Sequence, residues 1–136
     1  QAIVRRTTNF SVNNSTQTIM VWDNEFIDEF GAIDLVSQPT RITIPAGVSY
    51  VDIVAPVVWA GNNTGERRIE IFKNGASLIN APKLIKQAIS NSSDSICINK
   101  VPVSAGDYFE LRVYQSSGAA LDVLADTGTF MRIVVS

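Results

Sequence analysis

The chain of 136 residues predicts an all-β fold, a two-sheet antiparallel sandwich, and three features of the sequence carry that expectation. The first is strict alternation after the turn Gly106-Asp107. Phe109, Leu111 and Val113 fall on one face, and Tyr108, Glu110, Arg112 and Tyr114 on the other, until Ser116-Ser117-Gly118 stops the run. A period of two marks a half-buried strand. The second feature is a repeat of this plan from Trp59 to Gly75: loop Gly61-Asn62-Asn63-Thr64-Gly65, alternating Arg67–Lys73, then Asn74-Gly75. Asn-Gly between alternating runs is the strongest short hairpin signal. The third is the even spacing of turn signals with no convincing helical run between them.

Taken in order, Gln1–Arg6 is a short strand carrying Ile3 and Val4, and Thr7–Thr18 is a polar loop or irregular edge segment. Thr18–Asp23 is the next strand, with Ile19 and Val21 opposite Met20 and Trp22. Between Asp23 and Gln38, Phe26, Phe30 and Ile33 are spaced for one helical face, but Gly31 interrupts them. An extended loop with at most a turn of helix is expected there. Arg41–Pro45 forms a short strand that Pro45-Ala46-Gly47 ends. Ser49–Ala60 is apolar and β-branched, as in a strand covered on both faces. Pro56 cannot donate to a ladder, so a bulge is expected at Ala55–Pro56. In Arg67–Lys73, Ile69 and Ile71 point inward and Arg68, Glu70 and Phe72 outward. Pro82 favours an irregular strand over a helix in Lys83–Ile89, and Gln87–Ser95 is a polar loop. Strands follow at Ser95–Val103 and Tyr108–Gln115, then a long loop Ser116–Gly128 and a last strand Thr129–Val135. Eight to ten short strands of this kind suit a jelly roll in a single domain, 1–136.

Composition narrows the function classes. A net charge of −2 offers no basic stripe for nucleic acid, and no apolar run reaches the length of a membrane span. The chain contains no histidine, which removes the usual nucleophilic triads and most zinc sites. Cys97 is the single cysteine, and between Ile96 and Ile98 it reads as a small buried side chain. Asp94, Asp107, Glu110, Asp122 and Asp126 lie near loops, yet no spacing sets two of them facing across a cleft as a glycosidase needs. Asp122 and Asp126 share a loop, but without a ligand ladder they read as solvated carboxylates. No enzymatic activity, cofactor or metal is expected.

The order and spacing of several short pieces add a resemblance. They are Arg5-Arg6-Thr7, Trp22-Asp23-x-Glu25, Arg41-Ile42-Thr43-Ile44-Pro45-x-Gly47, Trp59-Ala60-x-Asn62, Gly65-x-Arg67-Arg68, Asn74-Gly75, Gly106-Asp107-Tyr108, Tyr114-Gln115-Ser116-Ser117-Gly118 and Phe130. Together they resemble the jelly roll shared by tumour necrosis factors and the globular heads of complement. The likeness is nearest to the bacteriophage and bacterial branch found at the ends of tail and fibre proteins. The Gly47–Trp59 segment departs from that pattern by its length and by Pro56. The resemblance implies a compact homotrimer with one sheet of each subunit around a threefold axis. It implies a role in structure or recognition rather than chemistry, and a place in a virion as the terminal domain of a longer protein.

Two candidate surfaces follow. Strands apolar on both faces need a second cover, and without helices a neighbouring subunit is the available one. Its expected contacts are Tyr50, Val58, Trp59, Ile96, Ile98, Phe130 and Ile133. The resemblance puts the face of Tyr108 and Tyr114 on the other sheet, away from the axis. In an antiparallel sandwich, the loops Gly61–Glu66, Gln87–Asp94 and Ser116–Gly128 should share the end opposite both termini. Asn62, Asn63, Thr64, Asn91, Ser92, Ser117 and Asp122 are the expected groups for a host-surface glycan or protein receptor. Three readings stay open: a fibre or tail tip that binds a host, a structural capsid decoration or fibre trimerisation cap, and a secreted complement-like binding domain.

Overall fold

A computed structural model describes residues 1–125 and 127–136. The described residues form an all-β sandwich of two antiparallel sheets, and among them there is no helix. The strands are β1 (Ala2–Arg5), β2 (Phe10–Val12), β3 (Thr18–Ile19), β4 (Asn24–Asp28), β5 (Arg41–Thr43), β6 (Tyr50–Trp59) and β7 (Arg67–Lys73). They continue as β8 (Ala76–Ser77), β9 (Lys83–Ile85), β10 (Ser92–Pro102), β11 (Tyr108–Gln115), β12 (Leu121–Val123) and β13 (Phe130–Val135).

The larger sheet is centred on β6. Along one side β6 pairs with β10; along the other it meets first β13, then β12 at Trp59. Beyond β13 lie β1 and β4, and beyond β12 lies β2. The smaller sheet has β11 and β7 at its centre, flanked by β3, β5, β8 and β9. The first strand, β6, β10 and the last strand thus share one sheet, and the alternating strand β11 lies in the other. Each sheet turns every second residue inward: Val51, Ile53, Ala55, Val57 and Trp59 from one, and Ile69, Ile71, Phe109, Leu111 and Val113 from the other, are buried. At about 25 cal/mol per Å² of apolar surface, this interior is the main stabilising term.

Several local expectations change. Asn24–Asp28 is a strand paired with β1, not a loop, and after it the Asp28 carboxylate accepts from the Ala32 and Ile33 amides at 2.9 and 3.0 Å. A strand was hidden there because Glu25 and Asp28 mask the pattern of an edge strand. The loop after β11 likewise contains β12. No register shift occurs at Ala55–Pro56; the irregularity is in the partner strand, between Ile98 and Val101. There Lys100 takes a φ of +59°, and its amide donates to Asp52 Oδ1 at 2.7 Å. Pro56 is accommodated differently. The ladder to β13 ends at Val54, and two residues after Pro56 the Val58 amide turns to Thr129 Oγ1 at 3.0 Å. By strand parity the missing proline donor faces this same interrupted side. Cys97 is exposed rather than buried, because Ile96 and Ile98 turn inward and parity sends the residue between them out.

Both termini lie at one end. Ala2 pairs with Ile133, and the Ser136 amide donates to the Tyr50 carbonyl at 3.0 Å. From Tyr50, β6 runs its ten residues, roughly 30 Å at 3.3 Å per residue, to the opposite end.

Candidate functional site

At that opposite end the backbones of separate loops are joined to one another. The Asn62 amide donates to the Ala88 carbonyl at 2.8 Å, and the Gly61 amide to Asn91 Oδ1 at 3.2 Å. Glu66 and Ser116 exchange two bonds: Ser116 N to the Glu66 carbonyl at 3.1 Å, and Glu66 N to Ser116 Oγ at 2.8 Å. A fourth segment was not expected. Asn14, from the β2–β3 connection, accepts the Gly118 amide on Oδ1 at 2.8 Å. The loops pack so closely that only glycine fits at two places. A β-carbon on Gly61 would lie 2.1 Å from the Ile89 carbonyl oxygen, and one on Gly65 1.9 Å from that of Ser116. Gly65 also has a φ of +73°, which an L side chain rarely adopts.

Two buried polar side chains hold this end from below. Arg67 is 1% exposed, and its guanidinium donates to the carbonyls of Asn62, Thr64 and Glu66 at 2.8–2.9 Å. Among the described residues no carboxylate lies within ion-pair distance of it; burial lowers its pKa, but an arginine stays charged. Gln115 is fully buried. Its Nε2 donates to the carbonyls of Val12 and Ala119, and its Oε1 accepts the Ser117 amide at 2.8 Å. Both could have been found by parity, since Arg67 shares its face with Ile69 and Ile71, and Gln115 with Phe109, Leu111 and Val113.

The seven expected ligand-facing residues divide accordingly. Asn63 and Thr64 are exposed, and among the described residues their side chains make no hydrogen bond. Asn62 is a building element: its Oδ1 accepts the Thr64 amide at 2.8 Å, which closes an Asx turn. Asn91 is exposed, with Oδ1 occupied by Gly61. Ser117 is half-buried and its hydroxyl donates to the Ala119 carbonyl at 3.0 Å. Ser92 and Asp122 are not in loops; they belong to β10 and β12, opposite Trp59 and Ser11. Asp126 lies outside the described residues, which contain no group of three or more Asp, Glu, His or Cys placed to hold a metal. Of the other carboxylates expected near loops, Asp94 in β10 pairs with Lys83 at 3.3 Å, Asp107 pairs with Lys73 at 2.8 Å, and Glu110 in β11 accepts from Thr40 at 2.9 Å.

The outward face of the larger sheet is a second surface. Tyr50, Val54, Pro56 and Val58 of β6 point out, beside Phe130 and Val134 of β13. Ile3, Phe26 and Phe130 line a cleft of about 240 Å³ on this side, rimmed by Arg5 and Arg132. Of the seven expected contact residues, Tyr50, Val58 and Phe130 face this way. Trp59, Ile96 and Ile133 are corrected: they are buried inside their own subunit, at 0%, 6% and 0% exposure. Ile98 also packs on the core, because its partner Ile53 faces inward. The apolar run that read as double-faced is an ordinary alternation whose outer positions are also apolar.

The face of the smaller sheet carries charge and rings in pairs. Arg41 stacks on Tyr108 at 4.1 Å, Arg68 on Tyr114 at 4.5 Å and Arg112 on Phe72 at 3.8 Å. One face of each tyrosine ring is therefore occupied by an arginine of the same subunit.

No family model and no curated protein matches the chain. Among solved structures, it is similar to that of murine APRIL, with 12% identity over 99% of this chain and 98% of that one and a TM-score of 0.60. A family 35 carbohydrate binding module from an environmental isolate gives 13% identity over 97% and 91%, at 0.45. The CBM36-1 domain of a multidomain xylanase from the hindgut metagenome of Trinervitermes trinervoides gives 11% over 95% and 98%, at 0.42. At the last two scores neither likeness bears on fold or function. The first shows that the sandwich has the tumour-necrosis-factor-like jelly-roll fold.

Proposed function

We propose that the chain is a non-enzymatic recognition module of a virion, a homotrimeric fibre or tail tip that presents its loop end to a hydroxyl-rich host-surface ligand. The observation that carries this reading is the convergence of four polar segments at the end opposite both termini. A domain attached through its chain end meets a target with that surface first. Asn63 and Thr64 supply uncommitted amide and hydroxyl groups on a loop fixed by Arg67, so little conformational entropy remains to be lost on binding. Single hydrogen bonds contribute only about 0.5–1.5 kcal/mol net. Useful attachment then requires several identical sites acting together, which a trimer provides.

The test is attachment of the labelled chain to lipopolysaccharide, capsule and teichoic acid preparations. Asn63→Ala with Thr64→Ala should keep the melting temperature and particle mass while attachment falls at least about tenfold. Asn62 is left intact because its side chain builds the turn. Unchanged attachment to every polymer bound would reject the loop end as the binding surface. Persisting attachment would move binding to the lateral face near Tyr108 and Tyr114, whereas no attachment of the unaltered chain to any polymer would leave a capsid decoration or trimerisation cap, supported by the apolar outward face of the larger sheet.

A further inference from the structure

We infer that the face of the smaller sheet holds a second, lateral binding site for a neutral saccharide. A cleft of about 330 Å³ lies there, lined by Gln17, Arg68, Glu70, Pro82, Arg112 and Tyr114. Arg112 is its distinctive group. The side chain is only 22% exposed, yet among the described residues its guanidinium makes no hydrogen bond, and its Nε is buried without a partner. The carboxylate within ion-pair reach is Glu110, at 3.8 Å, too far for a hydrogen bond. Stacking on Phe72 at 3.8 Å fixes the guanidinium plane without using its N–H groups. The four terminal N–H groups are thus held beside a cleft with few acceptors to meet them, and a bound ligand can supply those acceptors.

The surroundings select the ligand class. Glu70 stands directly across the ladder from Arg112, with one oxygen accepting from the Ser77 hydroxyl, and its second oxygen makes no hydrogen bond among the described residues. Gln17, exposed at the rim, offers both a donor and an acceptor. Pro82 and the Tyr114 ring add apolar surface. Donors, acceptors and an apolar wall together suit a sugar ring, whose hydroxyls donate and accept. Charge argues against an anion. Arg68 is paired with Glu66, and Arg112 faces both Glu70 and Glu110. With Arg41 directly across the ladder from Glu110, three carboxylates face three guanidiniums and leave no surplus positive charge to attract a sulfate, phosphate or uronate. The site is separate from the loop end and from the apolar face of the larger sheet. It shares with the proposed function only the assumption that the chain binds carbohydrate.

The experiment is amide chemical-shift mapping of the whole chain, titrated with neutral hexose and N-acetylhexosamine oligomers and with galacturonate oligomers as the charged comparison. A neutral oligomer should shift Gln17, Arg68, Glu70, Arg112 and Tyr114. Arg112→Lys, which keeps the charge but loses the planar fork, should weaken that binding at least about tenfold. Gln17→Ala, at an exposed position where folding is not at stake, should weaken it severalfold. Shifts confined to Asn63, Thr64 and their neighbours would overturn the lateral site while supporting the loop end. Tighter binding of galacturonate, or no shift at the lateral residues with any oligomer, would also overturn it.

Discussion

Arg67 sets the terms at the residue scale. A guanidinium taken out of water without a carboxylate is costly, and this one is retained because three carbonyls of one loop converge on it. Its role is positioning. Arg67→Met should destabilise the chain by roughly 3 kcal/mol, since charge-assisted bonds are lost and the carbonyls of Asn62 and Thr64 are left without donors, while that of Glu66 keeps the Ser116 amide. Amide exchange would show the loss concentrated at residues 62–66; uniform acceleration across the sandwich would mean that Arg67 supports the core rather than the loop. Asp107 is a different case. Its carboxylate accepts from Lys73, Asn74 and the Ser104 amide, which together hold its pKa near 2, against an ordinary value of 3.8. A depressed carboxylate stabilises the fold above its unfolded pKa, and that stability is lost as pH falls through the folded one. Thermal melts should therefore drop between about pH 4 and pH 2, and Asp107→Asn should flatten that part of the profile. An unchanged slope in the variant would assign the acid sensitivity to other carboxylates.

At the scale of elements, the hairpin at Asn74-Gly75 and the loop at Gly65 depend on backbone that only a few residues tolerate. Asn74 and Gly75 have φ of +51° and +81°, as a two-residue turn between β7 and β8 requires. Gly65→Ala combines a left-handed penalty with a clash against the Ser116 backbone, so roughly 2–5 kcal/mol should be lost. Gly75→Ala, which would meet only the Tyr108 hydroxyl at 3.6 Å, should cost about 1–2 kcal/mol. Equal melting temperatures for the two variants would show that the loops do not pack as described. Elements with strong alternation and clean turns, such as β7 and β11, were legible in the sequence because pattern and turn chemistry agree there. Short strands were not: β4, at the sheet edge, carries acidic residues, and β12 is only three residues long between turn signals. Their pairing comes from neighbours distant in sequence. Of the candidate site, the shared end of the loops followed from antiparallel parity alone. Its supports, Arg67 and Gln115, were missed because the inward parity of their strands was followed only through the apolar positions and not to the polar residue at each strand end. Trp59 and Ile133 were misassigned for a different reason, since apolar residues on both faces concealed which face was the core.

For the whole molecule, the outward face of the larger sheet bears on the number of copies. That face presents Tyr50, Val54, Pro56, Val58, Phe130 and Val134 in adjoining strands, with Tyr50 44% exposed. Asp52 and Arg132 stand among these residues on the same face, and apolar surface gathered with so few charges marks a contact surface. The jelly-roll resemblance makes three the expected number. Light scattering at micromolar concentration should then give three times the subunit mass of 14.8 kDa. Val58→Glu with Phe130→Glu should convert the particle to one subunit mass, because a charge buried in an apolar contact has no partner. Neither side chain reaches the sandwich interior, so circular dichroism of the monomer should keep its β signature. A monomer mass for the unaltered chain would remove the trimer, and with it the multivalent attachment that weak loop contacts require.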